Sequence, residues 1–117
     1  MSNVPKIHEG EYRFCLILWE NEPIRSMELA RLCKEKLGWS KTTTYTVIKR
    51  LGERGVLKNE NTVVSSLVSK EEAQLSELEE LMEKKFEGSL PAFIAAFARK
   101  QELSEKDVEE IRRIIER

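Results

Sequence analysis

The sequence predicts a mainly α-helical protein with one small β-hairpin. Six segments of the 117-residue chain carry apolar side chains at helical spacing. Two short β-prone runs, 56–58 and 62–64, flank Glu60-Asn61, which we predict as a tight turn. The hydrophobic fraction of 40% is sufficient for a core, and the charged fraction of 35% indicates a large solvent-exposed surface.

The first two helices are bounded by residues that favour helix ends. The spacing predicts a first helix over about residues 8–19, which must end before Pro23 because the residue before a proline avoids helix. The second helix is predicted to begin at Ser26 as N-cap and to end at Gly38. Its apolar face comprises Leu29, Leu32, Cys33 and Leu37.

The third helix has the clearest division into two faces. It is predicted to begin at the N-cap Ser40 and to run to Glu53, with Gly55 ending it. Its apolar face comprises Thr44, Val47, Ile48 and Leu51, at i, i+3, i+4 and i+7. At about 100° per residue, the opposite face carries Thr42, Tyr45, Thr46, Lys49, Arg50 and Glu53.

Three further helices follow the hairpin. Ser69 and Glu72 form a capping box that opens the fourth, with Gly88 at its end. The fifth covers residues 89–100, and Ser104 caps the sixth. We therefore divide the chain into domains at 1–69 and 70–117. The residues predicted to point inward on the fourth helix are Leu75, Leu78, Met82 and Phe86.

Composition argues against an enzyme or a membrane protein. One histidine, His8, and two separated cysteines, Cys15 and Cys33, offer little for acid–base chemistry or metal binding, so we predict no catalytic residue, metal or cofactor. We expect both cysteines to lie in the core. The sequence has no signal peptide and no apolar run long enough to span a bilayer, which predicts a cytoplasmic protein without membrane association.

The order of three helices and a hairpin is that of a winged helix-turn-helix domain, whose third helix enters the DNA major groove. Residues 1–69 hold 11 basic and 8 acidic side chains, whereas residues 70–117 hold 9 and 13, so only the first half is suited to a polyanion. A solvated helix face or a winged-helix module for protein–protein contact remains the alternative. The candidate DNA-binding residues are Ser26, Ser40, Lys41, Thr42, Thr43, Tyr45, Thr46, Lys49 and Arg50.

The helices of the second half are short and their apolar stripes are wide. A second copy of the chain would bury apolar surface that one module of this size leaves exposed to solvent. We therefore predict a homodimer that presents two third helices to a palindromic operator. The candidate interface residues are Phe86, Leu90, Phe93, Ile94, Phe97, Leu103, Val108, Ile111, Ile114 and Ile115.

Several segments, in order along almost the whole chain, resemble the penicillinase repressor (BlaI/MecI/CopY) family. The family is one of homodimeric winged-helix transcriptional repressors that bind palindromic operators, and the resemblance implies the same function here. The matching segments are 18–20, 39–51, 55–57, 67–72, 86–90, 93–97 and 103–104.

The resemblance also implies a candidate off-switch. In the β-lactam branch a membrane-bound sensor protease leads to cleavage between Asn and Phe in the dimerisation region. The corresponding bond here is Ala96–Phe97, and because the Asn is absent we expect that protease not to act. The chain has no cysteine after Cys33 and so lacks the cysteine cluster of the copper-responsive branch. Residues 60–66 lack the basic and aromatic side chains that are usual in family wings.

Overall fold

The computed structural model describes residues 3–117 and confirms a mainly α-helical chain with a small antiparallel sheet. The chain forms two compact units, one ending at Glu77 and the other covering Leu78–Arg117, with the division inside a helix. The elements are α1 Glu9–Asn21, β1 Ile24–Arg25, α2 Ser26–Leu37, α3 Lys41–Glu53, β2 Leu57–Glu60, β3 Val63–Ser66, α4 Lys70–Phe86, α5 Leu90–Lys100 and α6 Glu105–Glu116.

The first unit has one continuous core, in which α1, α2 and α3 enclose apolar side chains against the sheet. Two tryptophans close its periphery: the Trp39 ring stacks on Phe14 with centroids 6.0 Å apart, and Trp19 Nε1 donates to the Val68 carbonyl over 2.9 Å. The predicted apolar face of α3 is confirmed. The fully buried large side chains include Phe14, Leu18, Leu29, Leu51 and Leu57.

The sheet has one strand more than the sequence predicts. β1 pairs antiparallel with β3, through Ile24↔Val64 and Arg25↔Val63, and the strand order is β1-β3-β2. The predicted hairpin is confirmed. The additional strand was not predicted because a strand of two residues has no periodicity to detect. Its pairing depends on β3, which lies almost 40 residues further along the chain.

The hairpin turn lies one residue later than predicted. β2 and β3 pair from Leu57↔Ser66 to Glu60↔Val63, which leaves Asn61-Thr62 as the two-residue loop. Both residues have positive φ, 53° and 64°, as a type I′ turn requires. Glu60-Asn61 was the wrong pair because Thr62, a β-branched residue, is a poor sequence signal for this conformation.

The start of α2 also differs from the prediction. Arg25, not Ser26, is the N-cap residue, and Ser26 is the first residue of the helix. No side chain caps this end. Instead, the Ser26 N–H donates to the Thr62 carbonyl over 2.8 Å, so the turn of the hairpin satisfies a helix-terminal donor.

The second unit keeps its predicted helices but not a closed core. The predicted cap of α6 is confirmed, since the Ser104 hydroxyl accepts from the Asp107 N–H over 3.0 Å. The Ser89 hydroxyl caps α5 in the same way, accepting from the Ala92 N–H over 3.1 Å. The Phe93 ring contacts Phe86 edge-on, with centroids 5.4 Å apart. On α4, which the Ser69–Glu72 capping box opens as predicted, Met82 is buried. Leu75 and Leu78 were also predicted to point inward. That prediction is wrong for the single chain, in which both side chains are exposed.

Candidate nucleic-acid interface

Helix α3 is fixed to the core along one face, and its opposite face is open to solvent. Thr44, Val47, Ile48 and Leu51 are buried on the inner side. Since each residue advances about 100° around the helix, Thr42, Thr46 and Lys49 lie near the centre of the outer side. Every outer-face residue predicted from the sequence is exposed. The arrangement presents hydroxyl and ammonium groups on a rigid support.

The N-terminal turn of α3 is held by a cap that uses two of the predicted residues. The Ser40 side chain accepts from the Thr43 N–H over 3.1 Å, as the sequence predicted for an N-cap. The Ser40 hydroxyl also donates to the Thr43 hydroxyl oxygen over 2.9 Å. Ser40 and Thr43 therefore stabilise the helix start, whereas Thr42 and Thr46 carry no such structural bond among residues 3–117.

Cations surround the junction of α2 and α3. A groove at this junction is lined in part by Met27, Lys34, Ser40 and Lys41. Lys41 Nζ lies 5.7 Å from the centroid of the Tyr45 ring, which is within the range of a cation–π interaction. Both side chains therefore lie along the surface of α3. Met27 is 68% exposed and Lys34 is exposed, and sequence reasoning named neither as part of the interface.

A buried carboxylate anchors the other end of α3, and the sequence did not reveal it. Glu11 on α1 is 6% exposed and accepts from Arg54 Nη1 and Nη2 over 2.9 and 2.6 Å. Arg54 Nη2 also donates to the Lys6 carbonyl, and the His8 N–H donates to Glu11 over 3.0 Å. The Arg54 hydrogen bond lowers the pKa of Glu11, against the opposing effect of burial.

This ion pair bears on one predicted DNA-binding residue. Arg50 Nη1 lies 3.7 Å from Glu11 Oε2, while the rest of the Arg50 side chain is about half exposed. The guanidinium of Arg50 is therefore drawn toward the first helix, though it can still reach solvent. Lys49, its neighbour, has no carboxylate partner among residues 3–117 and points its charge outward.

The hairpin itself has no net charge. Lys58 Nζ lies 3.4 Å from Glu60 Oε1, and the turn residues Asn61 and Thr62 are uncharged. A guanidinium from β1 reaches the turn, since Arg25 Nη1 donates to the Thr62 hydroxyl oxygen over 3.2 Å. Ser26, the remaining predicted residue, is half-buried at the start of α2.

The two cysteines are core residues, as predicted. Burial raises the pKa of Cys15 to about 12 and also raises the pKa of Cys33, so both thiols stay protonated and unreactive at neutral pH. Within residues 3–117, no group of three or more His, Cys, Asp or Glu side chains could hold a metal ion. No helix in that range is both long and apolar enough to cross a bilayer.

The residues predicted for a dimer interface lie on α4, α5 and α6, mostly facing solvent. Phe86, Phe93 and Leu103 are partly covered, and the remainder are exposed in the single chain. Ala96–Phe97 lies inside α5, where the Phe97 carbonyl accepts from the Gln101 N–H over 3.0 Å. The exposed members are Leu90, Ile94, Phe97, Val108, Ile111, Ile114 and Ile115.

Three helices followed by a wing, with a small sheet packed behind the third helix, define a winged helix-turn-helix protein with a helical C-terminal region. The profile of the penicillinase repressor family matches residues 7–117, and the chain belongs to this family of transcriptional repressors.

Individual relatives agree over nearly the full length. The methicillin resistance regulatory protein MecI of Staphylococcus aureus strain Mu50 is 25% identical over 114 residues, which covers 94% of this chain and 93% of the relative. The corresponding MecI of Mammaliicoccus sciuri is 24% identical over the same shares. The penicillinase repressor of Bacillus licheniformis is 22% identical over 120 aligned residues, covering 99% of this chain and 94% of that protein.

Proposed function

We propose that the protein is a homodimeric transcriptional repressor that binds a palindromic operator with α3 in the major groove. The observation that carries the proposal is the structure of α3, which buries one face completely and presents Thr42, Thr46 and Lys49 on the other. Hydroxyl groups can bond base edges or phosphates, and a threonine methyl can contact the thymine methyl. Membership of a repressor family supports the same function.

The dimer is proposed from the exposed apolar side chains of the second unit. Ile114 and Ile115 are 61% and 69% exposed, and both lie on the apolar stripe of α6. An isologous two-fold interface would bury this stripe against its own copy and would place two α3 helices on symmetric half-sites. No catalytic step is part of this proposal, because repression requires only occupancy of the operator.

The test begins with duplexes selected from a random DNA pool by the full-length chain. We expect Thr42→Ala or Thr46→Ala to change the selected sequence, each at a cost of about 1–3 kcal/mol if the side chain reaches a base edge. Tyr45→Ala tests the neighbouring position. Thr43→Ala cannot separate base reading from helix stability, because the Thr43 hydroxyl accepts a hydrogen bond from the Ser40 cap.

Lys49→Ala separates phosphate binding from base reading. We expect it to weaken selected and scrambled duplexes equally and to reduce the salt slope by about 0.9 per protomer. Lys70→Ala, an exposed lysine at the start of α4, is the matched control and should leave both quantities unchanged. Equal, sequence-independent losses for all the α3 variants would show that this helix reads no bases.

The second candidate function is a winged-helix module for protein–protein contact. The neutral hairpin, in which Lys58 and Glu60 pair, and the net charge of −1 favour it. A repressor loses affinity for DNA steeply as salt rises. A protein–protein module would show little binding at any salt concentration, and failure to select any duplex would support this alternative.

We further expect the family's sensor protease to leave Ala96–Phe97 intact, because Asn does not precede Phe97. The bond lies in a helix that must open locally before a protease can cut it. Incubation of the operator complex with such a protease, followed by mass spectrometry, tests this expectation. A single cut at that bond with loss of DNA binding would contradict it.

A further inference from the structure

The wing, which comprises β2, β3 and the turn between them, carries no net charge that could attract DNA. Its only two charged residues on β2 and β3, Lys58 and Glu60, face each other at 3.4 Å, and neither turn residue is charged. A neutral hairpin gains little from approaching a phosphate backbone, because phosphate binding is mainly electrostatic. The hairpin by itself is therefore poorly equipped to bind DNA.

The missing charge is supplied by β1, the strand that the sequence did not predict. Arg25 pairs with Val63 in the ladder, and its Nη1 reaches the Thr62 hydroxyl oxygen over 3.2 Å. The next residue, Ser26, donates its N–H to the Thr62 carbonyl over 2.8 Å. These bonds fix an exposed guanidinium at the turn of the wing and at the first turn of α2.

We propose that Arg25 and Thr62 together form the wing's phosphate contact, which rests on the proposed DNA-binding function. Arginine has five N–H donors and uses one of them on Thr62, so the others can form the fork that binds a phosphate. The Thr62 hydroxyl oxygen accepts from Arg25, which leaves its own proton to donate to a second phosphate oxygen.

The surrounding carboxylates are already engaged. Glu28, in the first turn of α2, is held by Arg31 at 2.5 Å, and Arg31 also holds Glu35 at 2.9 Å. Glu60 is paired with Lys58. Among residues 3–117, Arg25 forms no ion pair with a carboxylate, so its charge is available to an external anion.

The experiment measures the salt dependence of binding to a selected duplex and to a scrambled one. Arg25→Ala should weaken both equally, by roughly eightfold per protomer at about 0.1 M salt, since each phosphate contact contributes a slope of about 0.9. Arg25→Lys should keep the slope but recover only part of the affinity, because an ammonium cannot form the bidentate fork. Arg13→Ala, an exposed arginine on α1, is the matched control.

Thr62→Gly removes the hydroxyl while suiting the positive φ at this position, so the wing should still fold. We expect it to lose affinity with an unchanged slope. A second measurement replaces single phosphates of the duplex by neutral methylphosphonates. One replacement should weaken the wild type and leave Arg25→Ala unaffected, whatever the stability of that variant.

The outcomes separate this proposal from the proposed function. If Lys49→Ala lowers affinity and slope while Arg25→Ala changes neither, Arg25 touches no phosphate and the proposal is wrong, although the protein still binds DNA. If the chain binds no duplex at any salt concentration, the proposed function fails first. A sequence-dependent loss in Arg25→Ala would also overturn the proposal, because phosphate contacts carry no direct sequence information.

Discussion

The two units place their apolar side chains in opposite environments. In the first unit Phe14, Leu18, Leu29 and Leu51 are completely buried, and three helices and a sheet enclose them. In the second unit the isoleucines of α6 are between 40% and 69% exposed, although that helix has a well-separated apolar stripe. Amphipathic helices therefore bury their apolar side chains in the first unit and leave them exposed in the second.

The difference follows from size and from what each unit can pack against. The second unit spans about 40 residues, near the length below which a chain usually needs a partner, metal or disulfide to fold. It holds neither cysteine of the chain. A well-formed apolar stripe that remains exposed is thus evidence for assembly, whereas the same stripe in the first unit is evidence for a core.

The largest expected effect is the loss of the dimer that we propose for the second unit, without a change in the first unit. Ile111→Asp puts a carboxylate on the apolar stripe of α6 and should make the chain monomeric. Loss of linked half-sites should reduce operator affinity by about 100-fold or more. Sedimentation gives the oligomeric state, and fluorescence follows the first unit alone because both tryptophans lie there.

Arg113→Asp is the control for that variant, because position 113 lies on the opposite side of α6 by helical geometry. It should remain dimeric. A dimer in Ile111→Asp would move the interface away from α6, and a dimer formed by residues 1–77 alone would place it in the winged domain.

A second variant tests what holds the first unit together. Arg54→Ala leaves the buried Glu11 carboxylate without its bidentate partner and should destabilise the unit by about 3–5 kcal/mol. Arg31→Ala also removes an arginine with two carboxylate partners, but all three groups are exposed and screened by solvent, so it should destabilise the unit far less than Arg54→Ala. Denaturation by urea, followed by tryptophan fluorescence, measures both. Equal losses would show that burial of Glu11 has no energetic consequence.

The same carboxylate predicts acid sensitivity of the first unit. The Arg54 hydrogen bond lowers the pKa of Glu11 below its ordinary value of 4.5, so the folded state favours the charged form. Its contribution to stability is complete above the unfolded pKa and is lost as the pH falls through the lower, folded pKa. Urea denaturation below about pH 4.5 should show this loss in the wild type and a smaller one in Glu11→Gln.

The smallest expected effect concerns the wing turn. Thr62 has a φ of 64°. This conformation is strained for a β-branched residue but not for glycine. Thr62→Gly should therefore stabilise the first unit by about 0.5–1 kcal/mol, measured as a rise in melting temperature. Asn61→Gly at φ of 53° should gain less, because asparagine tolerates this region. A destabilised Thr62→Gly would show that the hydroxyl bond to Arg25 outweighs the backbone strain.

The sequence by itself determined the helices and the two faces of α3. Local signals were sufficient because each is a property of neighbouring residues: the apolar spacing of Thr44 to Leu51, and the serines that cap α3 and α6. The outward set on α3 follows from the same spacing, so the exposure of its predicted residues could be deduced without any tertiary contact.

Tertiary structure alone decided the features that join distant segments. Glu11 and Arg54 are 43 residues apart, and nothing in the local pattern marks either as half of a buried ion pair. Strand β1 exists because β3 pairs with it, and that pairing moved the cap of α2 to Arg25 and joined its guanidinium to Thr62. Long-range contacts of this kind depend on how the elements pack against one another. The spacing of residues along the chain does not predict that packing.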